Sequence, residues 1–248
     1  SLNIRMDMLM NSKERNQQIK EELLLVIEPD YAEFSAALIP GVRKLLGVRI
    51  PVLREIAKKI AKENWMEYMV GASDDSFEEV NIQGFVLAYA DATFAVKEPY
   101  IRNFLNKIQD WSICDGFCST LKAAKKEKEQ WWDFLNEYSK SKEEFQLRFV
   151  VVMWLRYYID EEHIDHIIQE ILRIEHPGYY YKMGAAWCLA EIYLYFPGKI
   201  EAMFSAGQLD SFIQNKGIQK ICESFRVEEE NKKKLKKLKR DKKLTKLL

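Results

Sequence analysis

The stretch Phe145-Gln-Leu-Arg-Phe-Val-Val-Val-Met-Trp-Leu-Arg-Tyr-Tyr-Ile159 decides the fold class. Apolar side chains occupy nearly every side at the helical period, so a helix over 142–159 must be covered by other helices. Arg148 is one of its few charges, and a guanidinium in such surroundings wants a carboxylate or a phosphate within reach.

Outward from this segment, apolar residues recur at three and four positions along the whole chain, and no strand-like alternation runs far. The pattern predicts helices at roughly 12–28, 30–39, 51–63, 64–71, 76–91, 98–108, 112–124, 128–139, 142–159, 161–174, 178–195, 198–205, 210–224 and 227–240. Stops agree at Glu28-Pro29-Asp30, Arg49-Ile50-Pro51, Glu98-Pro99, His176-Pro177-Gly178 and Phe196-Pro197-Gly198, with Ser141 and Asp210 as caps. Helices that pair every 30–45 residues point to an all-α fold, an α-solenoid of stacked HEAT-like antiparallel helix pairs. A compact irregular bundle is the alternative. Residues 1–230 read as a single helical-repeat domain and 231–248 as a basic C-terminal tail, helical or frayed.

The 248 residues carry 38 Lys/Arg and 38 Asp/Glu, but the balance is uneven. Residues 231–248 hold ten Lys/Arg and one Asp, a local charge of +9, and residues 1–230 therefore carry −9. A basic tail suits polyanions, membrane surfaces or plain solvent. No apolar run reaches the length of a spanning helix, and the first residues lack a secretory pattern, so a soluble cytoplasmic protein is expected. Cys114, Cys118, Cys188 and Cys222 sit within apolar helical patterns and read as reduced, packed thiols.

Trp111-Ser-Ile-Cys-Asp115 places an aromatic and a carboxylate one helical turn apart on a partly apolar arc. A sheltered carboxylate needs a partner, which is either a ligand or another part of the protein. An ion pair between Asp115 and Arg148 would satisfy both without any ligand. Farther on, Tyr180, Met183 or Gly184, and Trp187 form a stripe with small residues between the large ones. Such a stripe is ordinarily core, but it also suits a cleft that accepts a flat ligand. In Gly41-Val-Arg-Lys-Leu-Leu-Gly-Val-Arg-Ile-Pro51, Arg43, Lys44 and Arg49 are candidates for gripping phosphates, against a plain inter-helix turn. His163-x-x-His166 offers two ligands and no third, so no metal site is expected there and the pair reads as surface helix. His176 reads as a C-terminal helix residue favoured by the dipole. Glycine-rich phosphate loops and nucleophile elbows are absent, which disfavours nucleotide hydrolysis and serine-hydrolase chemistry.

Gly47-Val-Arg-Ile-Pro-Val-Leu-Arg54-Glu-Ile-Ala-Lys resembles the Gly-Val/Ile-x-x-Pro-x-x-Arg motif of the AlkD-type DNA alkylation repair proteins. Trp111 with Asp115, Arg148 in its apolar helix and Trp187 follow in the same order at similar separations, over roughly residues 20–225. The resemblance implies a monomeric DNA glycosylase, free of metal and cofactor, acting on N3- and N7-alkylated purines in double-stranded DNA. It implies that Asp115 serves the chemistry, that Trp111 and Trp187 contact the lesion nucleotide, and that Arg148 holds a phosphate. It also implies that the modified base is not sealed in a deep pocket, unlike in most enzymes that flip their target. Active members carry a tyrosine about nine residues before the motif glycine, where this chain has Leu38. Two other functions are compatible with the same residues: a non-catalytic binder of damaged or branched DNA, and a protein-interaction solenoid whose acidic body takes a basic partner.

Overall fold

Prolines set three of the helix starts, because a residue without an N–H costs nothing in the first turn. Pro29 opens α2 (Pro29–Leu38), Pro51 lies in the first turn of α3 (Ile50–Lys62), and Pro197 opens α12 (Pro197–Ala206). The computed structural model describes residues 2–41 and 43–241. Fourteen α-helices account for most of these, with one 3-10 turn over Lys122–Lys125 and no strand among the described residues. The chain divides into two units, residues 1–131 and 132–248, and the division falls inside α8 (Lys128–Tyr138).

In the first unit every second helix stacks on the next. The helix α3 packs on α5 (Phe77–Tyr89), and α5 packs on α7 (Trp111–Thr120). The flanking α4 (Trp65–Gly71) and α6 (Phe94–Leu105) lie against α5, and α1 (Leu2–Leu24) lies against α4. The central helix α5 is buried from Phe77 through Leu87, polar residues included. Its Gly84 faces the ring of Phe104, where a Cβ would come within 2.7 Å, so α6 can approach closely.

The second unit repeats the order. The helix α9 (Glu144–Tyr157) packs on α11 (Tyr179–Tyr195), and α11 packs on α13 (Ser211–Cys222). The shorter α10 (Ile164–Arg173) and α12 flank α11. This layering of alternate helices is the local arrangement of an α-solenoid, as the sequence pattern predicts. The all-round apolar segment is indeed buried, from Leu147 through Leu155.

The basic tail is an ordered element as far as it is described. Its helix α14 (Glu229–Lys236) packs on α13 and buries Leu235 completely. Beyond it, the Leu238 carbonyl accepts from Gln214 at 2.8 Å, and Arg240 exchanges two main-chain hydrogen bonds with the Asn215 side chain. Residues 242–248 of the predicted tail lie outside the described residues.

Four local expectations are corrected. The first helix starts at Leu2, well before the predicted residue 12. Pro99 lies inside α6 and does not precede it, because Thr93 caps the helix one turn earlier and Phe94, Lys97 and Ile101 commit the segment to burial. His176 lies beyond the end of α10, in the loop before α11. There its Nδ1 accepts from the Gly178 N–H, which leaves Nε2 to donate to the Lys142 carbonyl at 3.0 Å. Glu143 holds the cap position of α9, while Ser141 accepts from the Glu143 N–H just outside it. The Asp210 cap is as predicted, accepting from Ile213 at 3.0 Å. No helix among the described residues is long and apolar enough to cross a membrane.

Candidate functional site

The Gly47 motif is a turn built around a buried acid. Gly47 has φ +102°, and a Cβ there would lie 2.6 Å from both the Ala32 Cβ and the Glu28 carbonyl, so only glycine fits. The N–H groups of Leu46, Gly47 and Val48 converge on the Glu78 carboxylate at 2.8, 3.0 and 3.3 Å. Glu78 is fully buried on α5, so the turn and the central helix of the unit are locked together. The turn then feeds α3, which carries Arg54. That guanidinium rests 4.2 Å over the Phe85 ring and donates to Tyr89 Oη at 2.8 Å and Thr120 Oγ1 at 3.0 Å. Arg54 therefore ties α3, α5 and α7 into one face.

On α7, Trp111 is the first residue and Asp115 follows one turn later, as the spacing predicts. The preceding Asp110 caps the helix, accepting from the Ile113 N–H at 2.8 Å. Burial raises the pKa of Asp110; its bonds from Ile113 and Ser112 and the charge of Arg43 oppose that rise, and the negative charge of Asp115 adds to it. The Trp111 indole N–H donates to the main-chain carbonyl of Leu38 at 3.0 Å. This bond joins α7 to α2 and fixes the ring beside the residue that stands where a tyrosine is expected. Leu38 itself is exposed, and so is Phe34 one turn before it. Asp115 is partly buried on α7, where Cys114 and Cys118 are buried, and Gly116 beside it faces the Phe85 ring.

Arg43, Lys44 and Arg49 have different surroundings. Arg49 forms a two-pronged ion pair with Glu28 at 2.9 and 3.2 Å and stacks 4.1 Å over the Tyr31 ring. Arg43 is partly buried, with Asp74 and Asp110 offsetting the desolvation that lowers its pKa. Lys44 is exposed, and its carbonyl accepts from the Phe77 N–H at 2.8 Å.

In the second unit, Arg148 and Trp187 lie on packed helices. Gly184 on α11 meets Val151 and the Arg148 side chain, with room for a Cβ only at 3.1 Å from Val151. The nearly buried Arg148 donates to the Tyr180 carbonyl at 2.8 Å, while Glu144 accepts from the Tyr180 N–H at 2.7 Å. These two bonds clamp the first turn of α11 to α9. Trp187 is partly exposed on α11, with the Arg156 guanidinium 5.6 Å over its ring. The small residues Gly184, Ala185 and Ala186 are buried, so they serve helix packing.

His163 and His166 flank the ring of Trp132 at 4.4 and 5.2 Å. His163 bonds Asp160 and His166 bonds Asn136, a structural cluster. No group of three or more potential metal ligands occurs among the described residues.

Three features escaped the sequence reading. Arg54 was visible only as a motif letter, although its four-residue spacing from Lys58, which lies 5.6 Å over Tyr89, was a detectable basic stripe. Glu78 left no local signal, because its partners are main-chain groups thirty residues away. Phe34 was hidden because nothing in a short helix distinguishes an exposed aromatic from a packed one.

The model of the DNA alkylation repair enzyme family matches residues 19–201. No curated protein matches the chain. The matched span takes in the Gly47 turn, α7, α9 and α11, and covers well over half of the sequence. The chain belongs to the DNA alkylation repair enzyme family.

Proposed function

We propose that the protein is a DNA glycosylase that hydrolyses the N-glycosidic bond of N3- and N7-alkylated purines in duplex DNA. The observation that carries this reading is the pairing on α7 of a partly buried Asp115 with a Trp111 ring held in place by the Leu38 carbonyl. An alkylated purine is cationic and leaves as a neutral base, so no general acid is required. The bond between C1′ and the purine nitrogen breaks with its electron pair on the base, and positive charge develops on the deoxyribose. Asp115 stabilises that charge and orients the water that attacks C1′, whose proton passes to solvent. A fixed carboxylate at developing charge is worth about 3–4 kcal/mol, by analogy with a preorganised oxyanion donor. Aromatic faces add roughly 0.5–2 kcal/mol per contact with the cationic base.

Trp111 and Trp187 are assigned to the lesion nucleotide and Arg148 to a backbone phosphate; Arg43, Lys44 and Arg49 are further phosphate contacts. Arg148 is held by its bond to the Tyr180 carbonyl at the first turn of α11. The test is release of 7-methylguanine from methylated duplex DNA. Release by the wild type and its collapse in Asp115→Asn support the assignment; no release at high enzyme concentration, with DNA binding intact, overturns it. One observation favours a second reading: an exposed leucine stands at position 38. On that reading the protein binds damaged or branched DNA without excision, with affinity falling steeply with salt and no abasic product.

A further inference from the structure

The second unit carries an open cleft of about 770 Å³ along α13 and the chain that follows α14. Its walls include Phe212, Lys216, Lys239 and Arg240, with Asp241 as the one acid among the lining residues. All of its lining residues lie beyond residue 201, outside the span matched by the family model.

Two properties distinguish this cleft from a solvated basic surface. First, the partly exposed Phe212 ring has two ammonium groups near it, Lys182 at 5.8 Å and Lys216 at 5.9 Å, with Tyr179 edge-on at 6.0 Å. Lys182 is already matched by Asp210 at 3.1 Å, so Lys216, Lys239 and Arg240 supply the cleft's excess charge. Second, specific bonds hold the lysine-rich tail at the rim. Asn215 accepts from the Arg240 N–H at 2.8 Å and donates to its carbonyl at 2.7 Å, and the Arg240 side chain donates to the Leu209 carbonyl. These bonds seat Arg240, and with it the segment that carries Lys239, against α13, in a chain whose first 230 residues carry −9. An aromatic face beside cations matches an unpaired base between phosphates, whereas the stacked interior of a duplex offers no open base face.

We propose that this cleft binds single-stranded DNA, with one base stacked on Phe212 and the flanking phosphates on Lys216, Lys239 and Arg240. The inference rests on DNA being the ligand of the protein and adds a preference for duplex that ends in, or opens into, a single strand.

The experiment compares binding of the full chain to a blunt duplex and to the same duplex with a thymidine overhang, by fluorescence anisotropy over a salt series. The wild type is expected to bind the overhang about tenfold more tightly. Phe212→Leu keeps the apolar volume and removes the π face, and should bring the ratio of the two affinities close to one. Lys216→Gln with Lys239→Gln should lower the salt slope for the overhang substrate by about 1.4. Equal wild-type affinities, or a preference that survives in Phe212→Leu, overturn the inference. Purine release from methylated blunt duplex is scored separately, so failure of the glycosylase reading is distinguishable from failure of this one.

Discussion

Replacing Glu78 by glutamine tests whether the buried acid organises the Gly47 turn. The carboxylate accepts three main-chain N–H groups, from Leu46 on Oε1 and from Gly47 and Val48 on Oε2. A glutamine carbonyl can take the place of only one oxygen. With the carbonyl at Oε2, the bonds to Gly47 and Val48 survive as neutral ones, and the amide NH2 faces the Leu46 N–H, donor against donor. Hydrogen bonds to charged groups contribute about 1.5–3 kcal/mol and neutral ones about 1 kcal/mol. One bond lost and two weakened therefore cost about 3 kcal/mol, or roughly two orders of magnitude in the opening equilibrium. Hydrogen exchange of the full chain reads this directly: protection of the Leu46, Gly47 and Val48 amides should fall about a hundredfold. Amides on α9 and α11 of the second unit serve as the internal reference. Unchanged protection at 46–48 would refute the idea that the acid holds the turn.

Further outcomes follow from the same geometry. Asp115→Asn should lower single-turnover release of 7-methylguanine by about 100- to 1,000-fold, if its carboxylate works at the developing sugar charge; a loss under tenfold contradicts the role. Gly47→Ala should destabilise the protein by about 3 kcal/mol, from positive φ combined with contact against the Glu28 carbonyl, measured as a lowered urea midpoint. Asp110 predicts a pH effect: with its native pKa raised by burial, the folded state binds the proton more tightly than the unfolded chain. Stability from this group is therefore lost as pH rises from the ordinary carboxylate pKa through the raised one. Asp110→Asn keeps a good cap and cannot ionise, so its stability relative to wild type should increase with pH across that window in urea titrations, and a flat difference would contradict the burial argument.

How much of this was legible in the sequence depended on the range of the interaction. Helix positions follow local periodicity and capping, so the all-α layering and the Trp111–Asp115 spacing on α7 were readable. Pro99 misled because the competing signal, Thr93 with buried Phe94, lay one turn upstream. The ordering of the tail was unreadable, since it depends on Gln214 and Asn215 seeking main-chain groups more than twenty residues ahead. Charge composition likewise pointed to Arg43, Lys44 and Arg49 as a set. It was silent on Glu28 and Tyr31 engaging one of them and Asp74 and Asp110 offsetting the burial of another.

The hydrogen bond from Trp111 to Leu38 has an evolutionary corollary. Its acceptor is a main-chain carbonyl, which every amino acid presents, so the alignment of the indole does not depend on which side chain occupies position 38. Exchange at that position alters the surface beside the ring while leaving the ring's anchor intact. The chemistry offered to a neighbouring nucleotide can thus drift, or be randomised in a library at position 38, without rebuilding α7. The exposed Phe34 one turn away is an aromatic already present on this surface.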